Sequence, residues 1–330
     1  MRYKYLILSF AVLPWIAAAV QAQTGSLAFS PPEGGYSAFD TGPFKGRMKL
    51  DGKYQGIASI VDAASGMELA KPPGLLSYYR VFSTDTRYGN AARDWPLSVK
   101  VHEDGALEIR FPPGEDHPLE ITGTFRWVAP DTLDLQTVVK PQVAMPRMEV
   151  FLSTYVVAGF DALIYVKPNR FATETSPEFL RADWCELFDG NYLVFPRDRQ
   201  SLLMVYDQRW EIPPSPVTWA FARYLAAPVA LRRHAESGIT VAWMAPPEDC
   251  FAVLTPYNKQ PPDNVAGHSS LYLSLFGKDV AAGETARAHC RMVIAKGMDD
   301  EQVLQRFAKY REERKAQPAS NPAAARGAGN

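Results

Sequence analysis

The sequence has few of the residues that bind metals, build disulfide frameworks or attract polyanions. It contains three cysteines and five histidines in 330 residues, and its 35 basic and 36 acidic side chains nearly cancel. Cys185, Cys250 and Cys290 lack zinc or redox spacing, so we expect mostly buried free thiols with at most one disulfide. Scattered charge of both signs predicts no nucleic-acid partner.

Common catalytic and cofactor motifs are also missing. The sequence has no His-Glu-x-x-His zinc motif, no Gly-x-x-x-x-Gly-Lys phosphate loop, no Gly-x-Ser-x-Gly elbow and no Asp-rich calcium loop. We therefore expect no metal and no cofactor. The absence of an Asn-x-Ser/Thr sequon favours a bacterial periplasm or exterior over a eukaryotic secretory route.

The first 22 residues have the pattern of a secretory signal peptide. Arg2 and Lys4 precede an apolar run over 5–20, and small residues at 20 and 22 predict cleavage before Gln23. An uncleaved anchor is the alternative, but the run is short and contains Pro14. We expect an exported protein, in the periplasm or outside the cell, with no membrane span after cleavage.

The rest of the chain is organised as one domain with polar ends. Residues 23–38 are rich in Gly, Ser and Pro and predict a lead-in arm, whereas 317–330 predict a disordered tail. Between them, 39–316 contain no linker, charge block or repeat of fixed period. We therefore expect a single β-sandwich domain over 39–316.

Apolar and polar residues alternate along most of this domain, which is the pattern of strands with one buried face. The alternation is clear over 107–111 and 121–127. Similar runs follow at Leu202–Tyr206, Ile239–Met244, Leu271–Phe276 and Ala286–Ile294. With 27 prolines to forbid long helices, the pattern predicts an all-β fold, a large antiparallel two-sheet supersandwich, in preference to a barrel or a propeller.

One helix is predicted, over 299–315. Asp299 and Gln302 have the spacing of a reciprocal capping box, and Val303, Phe307 and Tyr310 fall on one helical face. We expect this helix to cover or plug one end of the sheets.

The segment 78–95 is the densest mixture of arginine, carboxylate and aromatic residues. Arg80, Asp85, Arg87 and Trp95 offer forked donors, an acceptor and a stacking face, which together suit a sugar. The alternative is an Arg/Asp network that pins a long loop to the sandwich edge.

A second cluster contains Trp210, Trp219 and Arg223 beside a Pro-rich stretch, and it has the composition of a loop laid over a cleft. Packing at a sheet edge is the alternative for both tryptophans.

Three residues are candidates for acid–base chemistry. His268 at a strand mouth follows Tyr257, a further candidate sugar contact, and Asp249 is a carboxylate that could orient it. Glu149 stands alone in an apolar run and needs Arg147 or another cation as partner. A structural residue is the alternative for the histidine, and a buried structural ion pair for Glu149.

The organisation from Phe39 to Ala295 resembles the galactose mutarotase type of supersandwich. The closing strands at Leu271–Phe276 and Ala286–Ile294 are joined across 281–285, where the Gly-Glu-Thr turn is similar to the turn before the family's last strand. The resemblance implies a sugar site and, in the family's epimerases, a His acid with a Glu base. The Asn-His that marks the acid is absent here, which leaves His268 and Glu149 as substitutes.

Two functions are compatible with these features. The first is an exported carbohydrate-binding or carbohydrate-active protein with its sugar on the concave sheet face, any chemistry being acid–base work of an epimerase, lyase or glycosidase type. The second is a non-catalytic extracytoplasmic binding or assembly module with protein partners.

Overall fold

Strands dominate the structure, as the period-two pattern predicts. The computed structural model describes residues 25–169, 175–257 and 269–316. In chain order the strands are β1 (Ser26–Phe29), β2 (Tyr36–Asp40), β3 (Phe44–Lys49), β4 (Gly56–Asp62), β5 (Ser77–Ser83), β6 (Thr86–Arg87), β7 (Ser98–Val101), β8 (Leu107–Phe111), β9 (Leu119–Ala129), β10 (Thr132–Pro141), β11 (Met145–Tyr155), β12 (Phe160–Val166), β13 (Glu178–Arg181), β14 (Tyr192–Pro196), β15 (Trp219–Phe221), β16 (Leu225–His234), β17 (Ile239–Met244), β18 (Cys250–Pro256), β19 (Ser270–Val280) and β20 (Ala286–Lys296). The helices are α1 (Arg199–Val205) and α2 (Asp300–Ala316), with 3-10 turns at Ala92–Asp94, Glu186–Phe188 and Arg209–Glu211.

Two large sheets form a sandwich around one apolar core. One has nine strands in the order β13-β12-β16-β17-β20-β10-β9-β8-β7, and the other has seven in the order β15-β14-β18-β19-β11-β5-β6. Neighbouring strands are antiparallel except for the parallel pair β14 and β15. The predicted antiparallel two-sheet sandwich is confirmed. A third sheet, β1 to β4, was not predicted and joins the same core through Phe39, Met48 and Ile57.

The two large sheets differ in how their strands are buried. In β9, buried Ile121 and Phe125 alternate with half-exposed Thr122 and Thr124, as the sequence predicts. The strands at the centre of the seven-stranded sheet are instead apolar on both faces, because a second apolar cluster lies on the side away from the nine-stranded sheet. We call this side the outer face.

The connection between β14 and β15 covers part of the outer face. We call residues 197–218 the bridging segment, which contains α1 and the turn at Arg209–Glu211. It packs Met204, Val205 and Trp210 against Phe151 and its neighbours in the outer-face cluster. One portion of the outer face is thereby sealed.

The strand predicted at Leu202–Tyr206 is wrong, because most of this run belongs to α1. Asp198 caps the helix: its carboxylate accepts hydrogen bonds from the backbone N–H of Ser201 at 2.8 Å and from its hydroxyl at 2.9 Å. A short apolar run fits a helix or a strand equally well, and the cap favours the helix.

The terminal helix α2 has the predicted cap and face. The backbone N–H of Asp299 donates to the Gln302 side chain at 3.0 Å, and the N–H of Gln302 donates to the Asp299 carboxylate at 2.8 Å. Val303, Phe307 and Tyr310 are buried in an apolar cluster with β16, β17 and β20. The helix therefore covers the second face of the nine-stranded sheet rather than plugging an end.

The predicted lead-in arm belongs in part to the fold, since its Phe29 is buried in the main core. The predicted lead-in arm includes β1, which pairs with β2. The predicted signal peptide, 1–22, and tail, 317–330, lie outside the described residues. Cys185, Cys250 and Cys290 are free thiols. Within the described ranges, no helix is long and apolar enough to cross a membrane.

We predict that Phe307→Ala lowers the free energy of unfolding by about 3 kcal/mol, because the ring fills the space between α2 and the nine-stranded sheet. Lys309→Ala, on the exposed side of the same helix, is the matched control and should change stability by less than about 0.5 kcal/mol. Urea unfolding of the two variants checks this. Equal midpoints would show that α2 does not contribute to the stability of the sandwich.

Candidate functional site

Four tyrosines gather on the part of the outer face that lies beyond the sealed portion. They are Tyr79 on β5, Tyr155 on β11, Tyr192 on β14 and Tyr272 on β19, and we call them the tyrosine cluster. Strand register explains the gathering, because Tyr272 lies opposite Ser153, which shares a strand face with Tyr155. The ring of Tyr272 is 6.4, 6.0 and 5.9 Å from those of Tyr79, Tyr155 and Tyr192.

The hydroxyl groups of this cluster form a short network. The Tyr155 and Tyr272 oxygens are 3.0 Å apart. Burial, reinforced by the neighbouring Tyr155, raises the pKa of Tyr192 to about 12 and holds the pKa of Tyr272 well above its ordinary value. Both hydroxyls are therefore protonated at neutral pH and can donate as well as accept a hydrogen bond.

Arg93 lies over the cluster and is the central cation of the site. It belongs to the turn Ala92–Asp94, and only 6% of the residue is exposed. Its Nη1 donates to the Ser153 hydroxyl at 3.2 Å. Its guanidinium carbon is 4.4 Å from the ring centre of Tyr79, 5.3 Å from that of Tyr54 and 5.6 Å from that of Tyr155.

Arg80 and Arg87, both predicted as sugar contacts, fasten the bridging segment to the sheet edge. Arg80 Nη2 donates to the carbonyl of Ser215 at 2.6 Å and to the hydroxyl of Tyr79 at 3.0 Å. Arg87 Nη1 donates to the carbonyl of Pro214. Burial, together with the nearby Arg80, lowers the pKa of Arg87 to about 10.

For the segment 78–95, the alternative prediction was a loop held to the sandwich edge by Arg/Asp pairs, and it is only partly correct. The arginines do pin a segment, but their acceptors are carbonyls of the bridging segment. Asp85 is exposed and accepts a hydrogen bond from the adjacent Thr86 hydroxyl at 3.3 Å. Asp85 is therefore not brought into contact with Arg80 or Arg87.

Glu149 lies in the sealed portion of the outer face and is fully buried. Its partner is Arg209 of the bridging segment, whose Nη1 lies 3.2 Å from Oε2, and Trp210 Nε1 donates to both carboxylate oxygens. Arg147 is not the partner; it is exposed, and only its carbonyl accepts from Arg209, at 2.8 Å. The geometry is that of a buried structural ion pair.

Arg209 pairs with two carboxylates, Glu149 and Asp207, and this sharing affects the pKa of Glu149. Asp207 binds the Nε and Nη2 side of the same guanidinium, at 2.9 and 2.7 Å. Burial raises the pKa of Glu149 above its ordinary value, and the opposing effect of Arg209 is smaller. Because Arg209 is shared with the largely buried Asp207, it compensates the charge of Glu149 only in part, and the pKa of Glu149 stays raised.

Trp219 lines a groove beside the bridging segment. Its half-buried ring meets those of Trp210 and Tyr206 edge-on, with ring centres 5.9 and 5.0 Å apart. The groove has a volume of about 700 Å³ and includes Gln208 and Glu211 in its lining. Trp210 itself is 1% exposed, so its ring supports Trp219 from within instead of facing the groove.

Three further predicted contacts are placed away from the tyrosine cluster or in the interior. Trp95 is buried in the main core and stacks on His117 with ring centres 3.7 Å apart. Arg223 pairs with Glu178 at 2.7 Å. Tyr257 is 7% exposed, and its backbone N–H donates to the backbone carbonyl of Asn191 at 3.0 Å. Trp95 packs instead of presenting a stacking face.

The Asp249 side chain binds His289 and not Glu149. His268 lies outside the described residues. Asp249 accepts hydrogen bonds from the backbone N–H and Nδ1 of His289, at 2.9 and 2.8 Å, beside a cavity of about 190 Å³ lined by basic residues of α2. The side chain of His289 is only 13% exposed.

The sequence interpretation missed the tyrosine cluster and the central role of Arg93. A usable signal was the pair Ser153 and Tyr155, two polar groups spaced by two residues on the same strand face as Glu149. Among the described residues, no group of three His, Cys, Asp or Glu side chains could hold a metal ion.

Comparisons with known proteins give remote structural similarity. No protein-family model and no curated protein matches the sequence. A galactose mutarotase related enzyme from Lactobacillus acidophilus is 12% identical with a TM-score of 0.49, over 80% of this chain and 98% of that one. A putative aldose 1-epimerase from Escherichia coli K12 is 11% identical with a TM-score of 0.42, over 82% and 99%.

A third solved structure is much longer than this chain. The alpha-N-acetylgalactosaminidase from Bifidobacterium bifidum is 10% identical with a TM-score of 0.48, over 84% of this chain and 38% of that one. These remote matches include proteins of the galactose mutarotase type that the sequence resembles. The similarity assigns no role to any residue of this chain.

We predict that Glu149→Gln matches the wild-type stability below about pH 4 and gains stability relative to the wild type as the pH rises to 7. The folded wild type holds the Glu149 proton more tightly than the unfolded chain does, because the folded pKa is raised. Wild-type stability therefore falls as the pH rises from the unfolded pKa towards the folded one, and the glutamine variant lacks this loss.

Urea unfolding at several pH values measures this difference, with Glu103→Gln on an exposed turn as the control. A glutamine variant that becomes steadily less stable than the wild type with rising pH would show that an ionised Glu149–Arg209 pair stabilises the fold.

Proposed function

We propose that this chain is an exported carbohydrate-binding protein whose sugar site is the tyrosine cluster with Arg93. The observation that carries the proposal is the convergence of four tyrosines and a buried guanidinium on one sheet face. Export to the periplasm or exterior is part of the proposal, on the basis of the leader pattern.

The chemistry of the cluster suits a pyranose ring. Aromatic rings offer apolar faces to sugar C–H groups, and hydroxyl and guanidinium groups offer hydrogen bonds to sugar hydroxyls. Tyr54, which is 45% exposed, provides a ring at the rim beside Arg93. Tyr192 and Tyr272 provide protonated hydroxyls in the interior of the site.

The bridging segment contacts the tyrosine cluster and also lines the groove of Trp219. Arg80 makes the contact, since its Nη2 donates to both the Tyr79 hydroxyl and the Ser215 carbonyl. Arg80 and Arg87 thus act as positioning residues for this segment, and the groove beside Trp219 would take sugar units that extend beyond the cluster.

The proposal is one of binding and not of catalysis. The described candidates for acid–base chemistry are each held by internal partners: Glu149 by Arg209 and Trp210, and Asp249 by His289. Glu149 is also fully buried. Neither carboxylate belongs to the tyrosine cluster.

We predict that an oligosaccharide which binds the mature chain raises its unfolding temperature, since a ligand at one hundred times its dissociation constant adds about 2.7 kcal/mol. A thermal-shift panel of neutral and acidic oligosaccharides measures this. Tyr272→Phe removes one hydroxyl and should weaken binding about 5-fold. Tyr165→Phe, on the second face of the nine-stranded sheet, is the matched control and should bind like the wild type.

Two outcomes would contradict the proposal. No shift with any oligosaccharide would favour a module with protein partners. Binding abolished by Trp219→Ala but unchanged in Tyr272→Phe would place the sugar in the groove instead of at the tyrosine cluster.

A further inference from the structure

We infer that the ligand of the tyrosine cluster is an acidic sugar, and that Arg93 receives its carboxylate or sulfate oxyanion. This inference rests on the proposed function and adds the chemical class of the ligand. It is drawn from how the protein distributes the partners of its buried arginines.

Five arginines are buried in the described ranges, and they divide into two groups. Arg209 and Arg291 are paired with carboxylates: Asp207 and Glu149 for the first, and Asp134 and Glu313 for the second. Arg80, Arg93 and Arg232 have no ion pair with a carboxylate among the described residues.

The three arginines without a carboxylate all adjoin the tyrosine cluster. Arg80 and Arg93 lie 4.6 and 4.4 Å from the ring centre of Tyr79. Arg232 donates to the hydroxyl of Thr255 at 2.8 Å and to the carbonyl of Ser270. It interacts electrostatically with Tyr272 and, less strongly, with the half-exposed carboxylate of Asp161, whose ion pair is with Arg181. The site therefore has a local excess of buried positive charge.

Such an excess is costly unless an anion compensates it. A cation removed from water loses its hydration, and proteins normally pair buried charges. Burial lowers the pKa of Arg232 to about 10, which is the signature of this cost. The tyrosine rings offset part of it around Arg93, but they carry no net charge to balance it.

The Nε and Nη2 atoms of Arg93 make no hydrogen bond to the described residues, and these are the guanidinium atoms that bind carboxylates in other arginines of this protein. Arg181, Arg209 and Arg291 each direct Nε and Nη2 at an aspartate, with distances between 2.6 and 2.9 Å. In Arg93 only Nη1 is engaged, by Ser153, and the buried Nε has no hydrogen-bond partner. A planar oxyanion fits this unused fork.

The backbone holds Arg93 ready for that contact. The carbonyl of Arg93 accepts from the N–H of Gln55 at 3.0 Å, and the Gln55 side chain donates to the carbonyl of Trp95 at 3.0 Å. The carboxylate of Asp94 accepts from the N–H of Tyr54 at 2.8 Å and forms no ion pair with Arg93 among the described residues. The nearest acidic residue in sequence is thus occupied elsewhere.

Titration calorimetry with matched oligosaccharides tests the inference. The acidic probes are galacturonate, glucuronate, mannuronate and sulfated galactose oligomers, and the neutral probes are galactose, glucose and mannose oligomers of equal length. We expect an acidic probe to bind at least about 10-fold more tightly than its neutral counterpart, with affinity falling as salt is added. The carboxylated and sulfated probes distinguish the two oxyanions.

Variants identify the residue. Arg93→Gln should weaken binding of the acidic probe about 30-fold and binding of any neutral probe less than about 3-fold. Arg110→Gln, an exposed arginine of the nine-stranded sheet, should leave both unchanged. Unfolding measurements provide a readout independent of ligand. Arg93→Met should destabilise the chain less than Arg209→Met, because only the loss of Arg209 leaves two carboxylates without their cation.

The outcomes separate the two proposals. Neutral probes that bind as tightly as acidic ones would overturn the acidic class and leave the sugar site standing. An acidic probe whose affinity is unchanged by Arg93→Gln would overturn the assignment to Arg93. No binding by any probe would overturn the proposed function and this inference with it.

Discussion

Burial of the seven-stranded sheet on both faces is the constraint on which the rest of the structure depends. The shared core fills one face, and the outer face has to be covered or to carry polar groups with partners. The bridging segment covers the sealed portion through Trp210 and the ion pair of Arg209 with Glu149. Beyond it, the strands carry tyrosines and serines in place of aliphatic residues, and this change creates the candidate site.

Most of the architecture could be predicted from the sequence because it follows from local patterns. Alternation over 121–127 predicts a strand with one buried face, and Asp299 with Gln302 predicts the start of α2; the structure has both. The prediction of a strand over Leu202–Tyr206 was wrong, because a short apolar run has no distinct period. The cap at Asp198 decides that this run is helical. The small sheet β1 to β4 has no equally clear local signal.

The candidate site was less predictable, because it is assembled from strands far apart in the chain. Arg80 and Trp219 were identified by composition, but Tyr155, Tyr192 and Tyr272 become neighbours only through the register of β11, β14, β18 and β19. Composition also cannot tell whether a carboxylate or an arginine is paired. Glu149 has a partner of opposite charge and Arg93 has no carboxylate partner among the described residues, and this difference separates a structural ion pair from a candidate ligand contact.

The central claim is that a sugar binds at the tyrosine cluster with an oxyanion at Arg93. The most direct test is a crystal structure of the mature chain with the tightest-binding acidic oligosaccharide. We predict a sugar ring against the tyrosine cluster and a carboxylate or sulfate oxygen within about 3.2 Å of the Arg93 guanidinium. A sugar seated only in the groove of Trp219, or in the cavity beside His289, with Arg93 left without an anionic partner, would contradict the claim.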